Sequence, residues 1–115
     1  TTLAFDPAQV EAYAEPSYAL GFARIENHYF VNGGWLEEGQ LLAGVDAIRH
    51  IPAVIVQGAY DLACPPVTAW ELHEAWPEAS FHLVLAGHSA LEPAIAEELV
   101  RATDAFATPS IRRNP

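Results

Sequence analysis

Two stretches decide the fold: IPAVIVQGAYD (residues 51–61) and SFHLVLAGHSALEP (residues 80–93). In the first, Ala53–Val56 is a continuous apolar run closed by Gly58. That pattern predicts a strand buried on both faces, as in a parallel sheet. SFHLVLAG predicts a second strand, again closed by a glycine, Gly87. Between them, PPVTAWELHEAWP (65–77) reads as a helix entered through Pro65–Pro66 and stopped before Pro77. After them, EPAIAEELVRATDAFA (92–107) reads as a helix with Ile95, Leu99, Ala102 and Phe106 on one side. Residues 48–108 therefore predict β-loop-α-β-loop-α, a right-handed parallel crossover followed by a covering helix. Both strands read as central, yet nothing else in the chain supplies their neighbours. An open apolar strand edge is an association hazard. The expectation is part of a larger α/β domain, or a chain that pairs with another copy through its strand edge.

Upstream the reading is helical. In FDPAQVEAY, Asp6 is an expected N-cap and Pro7 the first helical residue. SYALGFARIENHYFVNGG follows, with Ser17 as a candidate cap and Gly33–Gly34 as the stop. LEEGQLLAGVDAIRHI reads as a weaker third helix, interrupted by Gly39 and Gly44. The expected division is residues 1–47, all helical; 48–108, βαβα; and 109–115, a tail.

The bulk numbers exclude some functions. Half of the 115 residues are apolar (51%), enough for a core. No apolar run is long enough for a membrane span or a signal peptide. Cys64 is the one cysteine, which excludes an internal disulfide and any multi-cysteine zinc site; it fits a reducing compartment. The net charge is −10, and all five cations are arginines. Such a surface repels a phosphate backbone, so no nucleic-acid partner is expected. The acidic excess serves solubility or a cationic ligand. The chain has no methionine and opens on Thr1–Thr2, so it reads as starting inside a longer sequence.

Two polar residues fall just beyond the carboxyl ends of the predicted strands: Asp61 after the first and His88 after the second. Open α/β sheets build their sites at that edge. A carboxylate there can accept the Nδ1 proton of an imidazole whose Nε2 takes a proton from a nucleophile. Asp then His, each on a post-strand loop, is the order of an α/β-hydrolase triad. Each has a plainer alternative, Asp61 as a turn former or cap and His88 as a surface residue. Ser89 is a poor nucleophile: GHSAL has Leu91 where a Gly-x-Ser-x-Gly elbow needs glycine, and no such elbow occurs in the chain. Cys64, with no flanking cation, reads as a small buried residue. Glu26, in ARIENHYF, reads either as an exposed helical glutamate or as part of a polar-aromatic site.

FARIENHYFVNGG, IPAVIVQGAYDLACP, AWELHEAWPEA and AGHSALEP…LVRATDAFA together resemble the C-terminal part of prolyl aminopeptidases, also called proline iminopeptidases. The resemblance runs through nearly the whole chain in order and spacing. It implies the fold class: α/β, the C-terminal part of an α/β-hydrolase (two parallel strands with covering helices), preceded by helices of the cap domain. It implies a cytoplasmic serine peptidase that releases N-terminal proline without metal or cofactor. Asp61 then corresponds to the triad acid and His88 to the triad base. Glu26 corresponds to a cap glutamate that binds the protonated amine of the substrate, with cap aromatics as an apolar wall for the pyrrolidine ring. Two departures stand out. The family's Gly-Arg-Tyr-Asp is Gly58-Ala59-Tyr60-Asp61 here. The family's nucleophile lies in a segment upstream of what matches this chain, so the 115 residues alone are expected to be inactive. The expected partners are a peptide with N-terminal proline and the missing N-terminal segment. A different class of reading is a non-catalytic, self-associating module derived from the same fold; an esterase of the same superfamily is a weaker one, opposed by ARIENHYF.

Overall fold

A computed structural model of the chain describes residues 7–107. The helices are α1 (Pro7–Tyr13), α2 (Pro16–Val31), α3 (Gln40–Ala43), α4 (Pro66–Ala75) and α5 (Pro93–Ala107). The strands are β1 (Val54–Gly58) and β2 (Ser80–Val84), and single 3-10 turns occupy Gly33–Trp35 and Val45–Ala47. The expectation of an α/β chain with two parallel strands and covering helices holds. The expected cap at Asp6 and the tail at 109–115 lie outside the described residues.

Prolines open the helices. Pro7, Pro16, Pro66 and Pro93 each stand at the first helical position, where a missing N–H costs nothing. The cap of α2 is Glu15 rather than Ser17: its carboxylate accepts from the Tyr18 N–H at 2.8 Å. Pro16 fixes the helix start one residue ahead of Ser17, whose hydroxyl instead donates to Glu15. After α2, Gly33, Gly34 and Trp35 all take positive φ (57°, 61° and 57°) and reverse the chain. The third helix is shorter than expected. Gly39, at φ 73°, delays its start, and Gly44 ends it after one turn.

β1 and β2 pair in parallel, Val54 beside Ser80 through Gly58 beside Val84. The core is small: Val45, Trp76 and Ala79, with Ala53, Ile55, Leu72 and Ala75 packed against it. Val45 thus ties the segment before β1 to the end of α4. Ile95 is the buried residue of α5. On the same side Ala102 is half-buried and Leu99 and Phe106 are exposed, Phe106 by 55%.

One expectation is corrected here. Neither strand is buried on both faces: Val54–Gln57 are half-buried, and Leu83 is exposed. α4 lies on one face, where Phe81 meets Trp70 and His73, and α5 on the other, where His82 meets Glu98, and each covers its face only in part. α2 buries none of its residues, leaving Leu20, Phe22, Ile25 and Phe30 exposed. The radius of gyration is 17.4 Å, against about 13 Å for a compact domain of this length. Among the described residues no helix is long and apolar enough to cross a membrane.

The ends of the strands are held closer than their middles require. A Cβ on Gly58 would lie 2.0 Å from the Gly87 carbonyl oxygen and 2.7 Å from that of Ala86. Both contacts are backbone and cannot swing aside. We therefore expect Gly58→Ala to destabilise the chain by about 3 kcal/mol or more, read as a drop in the urea midpoint. Gly21→Ala, in the exposed interior of α2 where a Cβ meets nothing within 4 Å, is the contrasting control and should stabilise by about 0.5–1 kcal/mol.

Candidate active site

The two post-strand loops are stitched together before any side chain is considered. Beyond the last ladder position, the Ala59 N–H donates to the Val84 carbonyl (2.8 Å) and the Tyr60 N–H to the Ala86 carbonyl (3.0 Å). These bonds carry the β1 loop against the β2 loop. They bring Asp61 beside His88 across twenty-six intervening residues.

Asp61 is 7% exposed, the one buried charged side chain among the described residues. Its Oδ1 accepts from the amides of Ala63 (3.0 Å) and Cys64 (2.9 Å). Its Oδ2 lies 3.0 Å from His88 Nδ1. Burial works against the Asp61 anion, but the Cys64 amide, the His88 ring and the Ala63 amide outweigh it. Together they hold its carboxyl below the usual range. Gln57 adds an outer support: its Nε2 reaches the Cys64 carbonyl at 3.1 Å and Asp61 Oδ2 at 3.5 Å.

His88 is 43% exposed, with one ring nitrogen on the carboxylate. Its loop is fixed from below by Glu92. That carboxylate accepts from the Gly87 N–H at 3.0 and 3.1 Å and from the Ser89 N–H at 3.4 Å, one on each side of the histidine. Glu92 immediately precedes Pro93, so α5 delivers the clamp. Ser89 Oγ accepts from the Leu91 N–H at 3.2 Å and serves the turn.

The structure thus brings Asp61 and His88 together, and it leaves Glu26 apart from them in its hydrogen bonding. Glu26 is exposed on α2, and its side chain makes no hydrogen bond or ion pair among the described residues. It shares a helix face with Tyr29 and Phe30, three and four residues on. The left-handed turn at Gly33–Trp35 folds the Trp35 ring back against His28 (5.1 Å between centroids) and Tyr29 (5.3 Å). Glu26 thus stands on the same helix as His28 and Tyr29 of this aromatic group.

Cys64 corrects another expectation: it is exposed, not buried. Its backbone is committed on both sides, the amide to Asp61 and the carbonyl to Gln57, which holds the residue in the surface loop. Gln57 and Glu92 were missed as supports. Their signals were an amide inside the apolar run VIVQG, and an acid four residues after the histidine.

Against known proteins, no family model matches the chain. Individual relatives match strongly. The chain is 53% identical over 106 residues to a proline iminopeptidase of Xylella fastidiosa, which covers 90% of this chain and 34% of that protein. It is 54% identical over 97 residues to one of Arabidopsis thaliana (83% of this chain, 26% of that protein). It is 52% identical over 102 residues to one of Neisseria gonorrhoeae (87% and 32%). The resemblance to the prolyl aminopeptidases therefore holds across most of the chain, which spans about a third of the length of these relatives.

The lowered Asp61 carboxyl has a stability consequence. Its contribution is complete above the ordinary carboxylate range, about pH 4. It is lost as pH falls through the folded-state value. Asp61→Ala, which strands the Ala63 and Cys64 amides, should cost about 1–3 kcal/mol at neutral pH. The difference from the unsubstituted chain should shrink as the pH drops below that range, measured as urea midpoints across an acid series.

Proposed function

We propose that this chain is the C-terminal part of a serine-type prolyl aminopeptidase, in which Asp61 and His88 act as the acid and base. In this reading residues 1–47 are what remains of a helical cap, and 48–108 are the last βαβα of the hydrolase core. The observation that carries it is the His88 Nδ1–Asp61 Oδ2 contact of 3.0 Å at the carboxyl edge of a parallel sheet. The extent of the likeness to proline iminopeptidases supports it.

The chemistry follows from that contact. With a proton on Nδ1, His88 donates to Asp61 and presents the lone pair of Nε2. Nε2 takes the proton of a serine hydroxyl as its oxygen attacks the prolyl carbonyl. The imidazolium formed is stabilised by the Asp61 anion and returns the proton to the leaving amine. Asp61 stays ionised throughout, as its lowered carboxyl requires. The serine belongs to a segment outside these 115 residues, because no Gly-x-Ser-x-Gly elbow occurs here and Ser89 is occupied in its turn. Glu26, on its aromatic face, receives the secondary ammonium of the N-terminal proline; charge-assisted hydrogen bonds strengthen as a pocket closes around them. The exposed apolar side chains of α2 and the open strand edges then belong against the rest of the hydrolase. The enzyme works in the cytoplasm, with no cofactor in the reaction.

The test is hydrolysis of prolyl-β-naphthylamide by the chain alone and after mixing with the N-terminal two-thirds of the Xylella relative. We expect no activity alone and activity on mixing. In the mixture, His88→Ala should lower kcat by about 10³-fold or more. Glu26→Gln should mainly raise KM. Activity from the chain alone would contradict the placement of the nucleophile. A well-folded chain that self-associates and stays silent in both arms would favour a non-catalytic module.

A further inference from the structure

Asp61, Cys64 and His88 form a trio that the peptidase reading uses only in part. One carboxylate oxygen, the thiol sulfur and one ring nitrogen all lie within 4.8 Å of one another. Among the described residues no other such trio of His, Cys, Asp or Glu occurs. From this geometry we infer that Asp61, Cys64 and His88 form a binding site for a borderline-soft divalent cation such as Zn²⁺. Its ligands are Asp61 Oδ2, Cys64 Sγ and His88 Nδ1.

Three features favour this set. The first is spacing. Tetrahedral zinc with bonds of about 2.0–2.3 Å sets its ligands roughly 3.3–3.8 Å apart. The Nδ1–Oδ2 pair is already at 3.0 Å, so the remaining adjustment falls on the thiol of an exposed side chain. The second is support behind the ligands. The Ala63 and Cys64 amides hold Asp61 Oδ1 and Gln57 Nε2 stands 3.5 Å from Oδ2, so the carboxylate is fixed with both oxygens toward His88 Nδ1, Oδ2 the nearer at 3.0 Å. The Cys64 backbone is pinned at its amide and its carbonyl, and Glu92 clamps the His88 loop. Such outer contacts fix ligand orientation. The third is access. Cys64 and His88 are both exposed, so a cation and a fourth ligand, a water, can enter from solvent.

The donor set chooses among metals. One sulfur, one nitrogen and one oxygen suit Zn²⁺, Cd²⁺ or Co²⁺, whereas Mg²⁺ and Ca²⁺ require several oxygens. Binding displaces the proton between His88 and Asp61 and the thiol proton, both of which pass to the buffer. In the proposed enzyme the metal would occupy the nitrogen that Asp61 must orient, so it would act as an inhibitor. The binding itself does not rest on the peptidase reading.

The test needs no activity. The 115-residue chain, reduced and metal-free, is titrated with Co²⁺ and followed by absorbance. We expect one equivalent bound, with a near-ultraviolet thiolate-to-cobalt charge-transfer band. Cys64→Ser should abolish the band, and Cys64→Ser and His88→Gln should each weaken binding by about tenfold or more. Excess Mg²⁺ should not compete. Cobalt bound without the band, or an affinity indifferent to either substitution, would overturn the site. ¹¹³Cd NMR of the unsubstituted chain gives a reading independent of variant folding. A shift in the region of one thiolate ligand supports the site, and one in the oxygen–nitrogen region refutes it.

Discussion

The carboxyl edge of the sheet depends on how closely two backbones approach at Gly58. The Gly87 carbonyl occupies the space a side chain would fill, and only glycine permits this. From that approach follow the Ala59–Val84 and Tyr60–Ala86 hydrogen bonds, which draw the two loops together. From those follows the meeting of Asp61 with His88. The side-chain chemistry is therefore set by main-chain contacts, with Gln57 and Glu92 holding the two loops from behind. Asp61 Oδ1 takes the Ala63 and Cys64 amides, and both oxygens face His88 Nδ1, at 3.1 and 3.0 Å.

The same chain is poorly closed elsewhere. The core around Val45, Trp76 and Ala79 is small, and α2 buries nothing. Both strands have one free edge and only partial cover. Order is concentrated at one sheet edge, while apolar side chains such as Phe30 and Leu85 stand 77% and 74% exposed.

Much of this was legible in the sequence because it depends on local signals. Proline at the start of four of the five helices, apolar runs ending at Gly58 and Gly87, and polar residues just past them predict α/β order and the placing of Asp61 and His88. What was not legible depends on contacts between distant segments. Burial of the strands was overestimated because an apolar run states a preference for cover without saying whether cover is present. Cys64 read as buried from its chemistry, yet two backbone hydrogen bonds keep it at the surface. Glu15 displaced Ser17 as a cap because Pro16 fixes where the helix starts. The packing of Trp35 on His28 and Tyr29 became clear only once the turn at Gly33–Trp35 was traced.

The central claim is that Asp61 holds the proton of His88 on Nδ1. Long-range ¹H–¹⁵N NMR of the histidine rings tests it most directly, at a pH where the imidazoles are neutral. The account predicts that His88 is the Nδ1–H tautomer in the unsubstituted chain, with a low-field proton that disappears in Asp61→Ala. A His88 ring protonated mainly on Nε2, and unchanged by that substitution, would contradict it.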